Sequence, residues 1–139
     1  MTERSIAVPA WLRLARVFQQ VDRASVDLLR RWDLSVAQFD VLVQVGLREG
    51  LTQQHLADQL LVTKGNVCQL LDRMEERGLL ERRQDGRANR LYLTDKGRAL
   101  RSEAMPAQEQ LIEGFFAALP RAQQATLLAS LRRLDHMLA

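Results

Sequence analysis

Residues 61–97 read LVTKGNVCQLLDRMEERGLLERRQDGRANRLYLTDKG, and the order of patterns inside this stretch decides the fold. Val67, Leu70, Leu71 and Met74 recur at i, i+3, i+4 and i+7, which puts all of them on one side of an α-helix and leaves Gly65, Gln69 and Asp72 on the other. One side packs and the other is free to face a groove. Directly after it come two short strand candidates, residues 79–83 and 90–93, separated by the turn formers QDGRAN. An amphipathic helix running into a basic hairpin is the order of a winged helix-turn-helix.

The ends of the groove-facing helix are marked. Thr63 can accept from free N–H groups of the first turn and Gly78 can take the left-handed conformation that stops a helix, giving about four turns. Upstream, Thr52 opens a shorter helix, TQQHLADQL, with Leu56, Ala57 and Leu60 as its apolar stripe, and residues 60–63 form the turn between the two. In such a unit the second helix enters the major groove with its N-terminal half nearest the bases. The contact candidates are therefore Thr63, Lys64, Gly65, Asn66, Cys68, Gln69 and Arg73. Asn66 and Gln69 suit adenine, and Lys64 or Arg73 suits guanine or phosphate. On the hairpin the candidates are Asp85, Gly86, Arg87 and Arg90, with Arg87 at the tip, where an arginine on a thin ribbon can enter a minor groove. Asp72, Glu75 and Glu76 favour a competing reading, an ordinary helix with a solvated face, because unpaired carboxylates repel phosphate.

Charge distribution favours the groove. The whole chain has 20 basic and 17 acidic residues, a net +3, yet residues 62–101 hold ten basic against six acidic ones. Positive charge concentrated on the module with a groove-reading shape is the footprint of a phosphate-binding face.

At 139 residues and 47% hydrophobic content, the chain can bury one core without disulfides, and its single cysteine forms no internal one. One domain over residues 1–139 is expected, since no repeat, low-complexity tract or Pro/Gly/Ser linker divides it. Without a bilayer-spanning apolar run or a basic-then-apolar leader, the chain reads as cytoplasmic with no membrane partner.

Long helical patterns flank the central module. Trp11, Leu14, Phe18, Val21, Ser25, Leu28 and Trp32 alternate spacings of three and four, a heptad-like stripe interrupted by Ser25. Ser35 with Gln38 reads as a capping box opening a helix that carries Phe39, Leu42, Val43 and Val45. Thr94 caps another helix, in which Pro106 should introduce a kink, with Leu111, Ile112, Phe115, Phe116 and Leu119 beyond it. Leu127, Leu131, Leu134 and Leu138 mark the last helix. Chain ends this apolar would lie exposed in a monomer, so residues 10–33 and 101–139 are expected to interleave with a second copy, leaving residues 35–97 as the DNA-binding lobe. Two recognition helices on one face of B-DNA then require a pseudo-palindrome with half-sites roughly 34 Å apart.

The recognition stretch GNVCQLLDRMEERGLLER, followed by a D-x-R wing and L-x-L-T-x-x-G at Asp85, Arg87, Leu91, Leu93, Thr94 and Gly97, resembles the MarR (multiple antibiotic resistance regulator) family over nearly the whole chain. The resemblance implies a mainly α fold with a small β-wing, an intertwined homodimer with two winged helix-turn-helix lobes, and a regulator, usually a repressor, of its own or a neighbouring gene. It implies that Asp85 orients Arg87 toward the minor groove. It also implies release from DNA when a small aromatic or phenolic acid binds between the dimerisation helices and the lobe. Trp11, Phe18, Trp32 and Phe39 are the candidate walls of such a pocket, although core packing accounts for the same residues. The peroxide-sensing branch of the family has its reactive cysteine near the start of the first helix; residues 1–33 contain none.

Cys68 falls about 110° from the centre of its helix's apolar stripe, near the helix start and Lys64. A redox or metal switch there is one alternative reading, and a winged-helix module that docks another protein is a second. The basic wing argues against the docking module, which has no need of Arg82, Arg83, Arg87 and Arg90 on one ribbon. His55 and His136 have no ligand-spaced partners, and no nucleophile, base and orienter can be assembled. No enzyme activity, cofactor or metal is expected.

Overall fold

The computed structural model describes residues 4–60 and 66–139, and among these the order is α1 (Ala7–Leu29), a 3₁₀ turn (Arg30–Trp32), α2 (Val36–Leu47), α3 (Gln53–Gln59), α4 (Val67–Glu76), β1 (Leu80–Asp85), β2 (Ala88–Leu93), α5 (Asp95–Phe116) and α6 (Arg121–Leu138). This is the mainly helical, winged architecture that the pattern of residues 61–97 predicts.

Local chemistry sets most boundaries. The 3₁₀ turn stops where Asp33 adopts φ 52°, a left-handed conformation that Asp tolerates better than most residues. Two residues later Ser35 and Gln38 form the reciprocal capping box, with Gln38 N–H donating to Ser35 Oγ (3.0 Å) and Ser35 N–H to Gln38 Oε1 (3.1 Å). Thr52 caps α3 by accepting from the N–H of His55 (3.1 Å). At the end of α4, Gly78 (φ 71°) donates to Glu75 O and Leu79 N–H donates to Met74 O, the paired bonds of a Schellman motif, so the chain leaves the helix and enters β1 at once. Thr94 caps α5 by accepting from Gly97 N–H (3.0 Å), and α5 continues through Pro106 as one element.

β1 and β2 pair antiparallel, Leu80 opposite Leu93 through Asp85 opposite Ala88, around a Gly86–Arg87 loop. Gly86 supplies the positive φ (63°) at the first loop position, where type II′ hairpins place glycine. Both strands run longer than the sequence predicts, because the loop needs only these two residues. Gly50 N–H donates to Leu91 O and Leu91 N–H to Leu51 O, so the α2–α3 connection lies along β2 and fixes the wing to the lobe.

The core sits between α2, α3, α4, the wing base and the first half of α5. Val41, Leu42, Val45, Leu56, Leu71, Met74, Leu79 and Leu91 are fully buried there, each side chain stabilising by about 1.5–3 kcal/mol relative to exposure. The terminal helices differ. Among the described residues of α6 none is buried, and on α1 Trp11 and Phe18 are 65% and 59% exposed.

That exposure corrects the four-aromatic pocket within one chain. Trp11 and Trp32 stand at opposite ends of the α1 rod and its 3₁₀ extension, roughly 30 Å apart at 1.5 Å per residue, so one chain does not bring the two to the same cavity. Trp32 and Phe39 pack against the core of the lobe, while Trp11 and Phe18 face outward.

Candidate nucleic-acid interface

Helix α4 presents an exposed polar face made of Asn66, Cys68, Gln69, Asp72 and Arg73 while Leu71 and Met74 anchor its other side. The sequence predicts Thr63 as the cap of a helix of about four turns; the described helix has ten residues and is capped by Asn66, whose side chain accepts from Gln69 N–H (3.4 Å). Asn66 is therefore a cap through Oδ1, which leaves its Nδ2 as the group able to donate to a base. Thr63, Lys64 and Gly65 lie outside the described residues. Cys68 is exposed, and its Sγ accepts from Gln53 Nε2 (3.0 Å) on α3, a contact between the two helices of the unit that the sequence does not reveal.

Two of the carboxylates that weigh against a DNA role in the sequence are partnered. Arg82 on β1 reaches back to both Asp72 and Glu75 of α4, and its backbone N–H donates to Glu75 (3.2 Å). Side-chain hydrogen bonds from Arg82 hold the Glu75 carboxyl below the usual carboxylate range, and the same bonds push the Arg82 guanidinium up. Alternation explains the geometry: Leu80, Arg82, Leu91 and Leu93 share the hairpin face turned toward the lobe, so Arg82 projects at α4.

On the opposite hairpin face Arg83 pairs with Glu81 (3.2 Å) and lies 4.2 Å from the Tyr92 ring centroid. Arg90 donates to Asp85 Oδ2 (2.7 Å) and to Gly50 O (2.9 Å). This corrects the role that the D-x-R resemblance implies for Asp85: its partner is Arg90, a diagonal cross-strand neighbour, and not Arg87. Asp85 and Arg90 brace the ribbon. Arg87 has no hydrogen bond or ion pair among the described residues and projects from the exposed tip. It also lines, with Thr52, Gln53, Ala57, Val67 and Asn89, a cleft of about 550 Å³ between α3, the start of α4 and the wing. The structure thus brings the wing tip and the α4 N-terminal half to one concave face.

A family model described as the MarR family matches residues 32–90. An uncharacterized HTH-type transcriptional regulator of Bacillus cereus is 35% identical over 136 residues, covering 98% of this chain and 92% of its own. The chain belongs to the MarR family of transcriptional regulators. The transcriptional regulator HosA of Escherichia coli O157:H7 is 26% identical, with 86% of this chain and 94% of HosA covered. Among solved structures, a mutant MarR from Escherichia coli complexed with operator DNA superposes with a TM-score of 0.82 at 26% identity, covering 92% of this chain and 94% of that one. BpsR of Bordetella bronchiseptica shares the fold, with a TM-score of 0.84 at 23% identity over 96% and 98% of the two chains. As a MarR-family member the chain is a transcriptional regulator and not an enzyme. Among the described residues no helix is long and apolar enough to cross a membrane.

Proposed function

We propose that this chain is a homodimeric repressor that binds a pseudo-palindromic operator and releases it when a small aromatic or phenolic acid binds. The observation that carries the DNA reading is the division of labour among the wing arginines. Arg82, Arg83 and Arg90 are held by carboxylates of the lobe and ribbon, whereas Arg87 has no such partner among the described residues and stands beside the exposed face of α4. In this reading Gln69, Arg73 and Cys68, with Thr63, Lys64 and Gly65 outside the described residues, approach the major groove, Asn66 combines capping with contact, and Gly86 and Arg87 enter the minor groove. A similar solved structure, the Escherichia coli MarR mutant, is complexed with operator DNA, which supports the DNA-binding reading.

The dimer follows from the terminal helices. The apolar side chains of α1 and of the α5–α6 end, including Trp11, Leu12, Phe18, Ile112, Phe115 and Leu134, are left facing water in one chain. Residues 10–33 and 101–139 pair two copies, and residues 35–97 form each lobe. The effector class rests on the family resemblance.

The experiment is selection of duplexes from a random 30-base-pair pool, with the mass of the complex read by analytical ultracentrifugation. The reading expects an inverted repeat with half-site centres one helical turn apart and two protomers per duplex. No enriched duplex, or capture of one protomer on a single half-site, overturns it.

A further inference from the structure

One side chain ties the C-terminal end of α4 to the corner where α1 gives way to α2. Arg77 Nη1 donates to Asp33 O (2.6 Å) and to Gln38 Oε1 (3.2 Å), and Nη2 donates to Trp32 O (3.4 Å). Trp32 and Asp33 close the helical run that begins with α1. The Trp32 indole in turn donates from Nε1 to Glu103 Oε2 (3.1 Å), partway along α5. From the other side, Lys96 Nζ in the first turn of α5 donates to the Arg77 carbonyl (2.9 Å), placing a cation where the helix dipole favours one. Apart from these bonds α4 packs chiefly on α2 and β1, within its own lobe.

We infer that Arg77 is a positioning residue that fixes the angle of the recognition helix relative to α1 and α5, and thereby sets the half-site spacing that the dimer accepts. The inference rests on the dimer-on-operator reading above. Arg77 forms a fork held at three points on the α1–α2 corner, and a planar guanidinium resists rotation about such a site in a way a single ammonium does not. Asp33 is bent into the left-handed region at the same corner, so the Trp32 and Asp33 carbonyls both lie within reach of the fork. The Trp32–Glu103 bond extends the brace to α5. Inserting one base pair between half-sites moves one of them by about 3.4 Å and rotates it by about 35°. A helix braced to the α1–α2 corner and α5 cannot follow such a change, whereas one held only by α3 and β1 of its own lobe can move with that lobe.

The test compares wild type, Arg77→Lys and Glu103→Ala on the duplex selected by the wild-type protein and on the same duplex with one base pair added or removed at its centre. Glu103 is exposed, so its variant keeps the test available if Arg77→Lys folds poorly; melting curves monitor both. Wild type is expected to lose at least about tenfold in affinity on the altered spacings, and each variant about threefold or less, with the slope of log affinity against log salt unchanged. Full wild-type discrimination in both variants overturns the inference. So does a salt slope that falls by about one in the neutral variant Arg77→Gln, measured alongside, since that marks Arg77 as a phosphate contact. If wild type itself ignores spacing, the dimer-on-operator reading fails and this inference fails with it, an outcome recognisable without either variant.

Discussion

Gly97 opens α5 against the backbone of residue 79, and a Cβ built there would lie 2.0 Å from the Leu79 carbonyl oxygen. A carbon and an oxygen need about 3.3 Å, so Gly97→Ala must push α5 and the start of β1 apart by more than about 1 Å. The atom in the way is backbone and has no rotamer to escape into. Leu79 O also accepts from Thr94 N–H (3.1 Å), and the Thr94 hydroxyl donates to Gly78 O, so both bonds lengthen as the elements part. Overpacking costs about 1–3 kcal/mol, and the backbone and hydroxyl hydrogen bonds about 1 kcal/mol each. The expected destabilisation is about 3–5 kcal/mol, or roughly 10–15 °C in melting temperature for a chain of this size. Gly46→Ala is the control. Its Cβ would also clash, at 2.3 Å, but with the Arg101 side chain, which can swing aside, so a loss below about 1.5 kcal/mol is expected. Urea and thermal denaturation followed by circular dichroism, at equal protomer concentrations, read both values. A Gly97→Ala protein within about 1 kcal/mol of wild type would refute the steric argument.

Other expectations follow from particular contacts. The Glu49 carboxylate accepts from Leu93 N–H (2.9 Å) and pairs with Arg98, and the Leu93 bond is the chief reason its proton affinity is held down. Because its folded-state pKa is lowered, the stability it lends is present above the ordinary carboxylate range and is lost as pH falls through the lowered value. The stability gap between wild type and Glu49→Gln should therefore close on acidification below about pH 4; a gap that widens in acid would contradict it. Arg82→Ala should cost no more than about 1 kcal/mol in stability, since Asp72 and Glu75 are 53% and 43% exposed. Yet it should weaken DNA binding by baring two carboxylates on α4, and unchanged affinity would show that those charges do not face phosphate. Cys68→Ser keeps an acceptor for Gln53, so binding and melting should match wild type. If oxidant releases DNA from wild type but not from this variant, Cys68 is a switch after all.

Features written in consecutive residues were legible in advance. The Ser35–Gln38 box, the Thr52 and Thr94 caps, the Gly78 stop and the Gly86–Arg87 tip each depend on neighbours within a few positions, and each forms as the local chemistry dictates. Partnerships that depend on register were not. The family resemblance assigns Asp85 to Arg87, but the hairpin sets it diagonally across from Arg90, and only the pairing of Arg83 with Arg90 makes that visible. The neutralising role of Arg82 has the same origin, since it depends on which face of the ribbon meets α4. The separation of Trp11 from Trp32 within one chain has a plainer reason. Helical periodicity assigns Trp11 and Trp32 to one stripe without regard to the length of rod between them. The N-terminal boundary of α4 falls later than the Thr63 cap implies because Asn66, a stronger N-cap residue type than Thr, caps the described helix.

The central claim is that α4 and the wing-tip arginine form a phosphate- and groove-binding face. Its most direct test is a salt titration of binding to the selected duplex, wild type against Arg87→Ala, plotting log affinity against log salt concentration. The account predicts a steep slope for wild type and weaker binding with a slope shallower by about one for the variant. Wild-type binding indifferent to salt, or an Arg87→Ala protein that matches wild type in both affinity and slope, would contradict it.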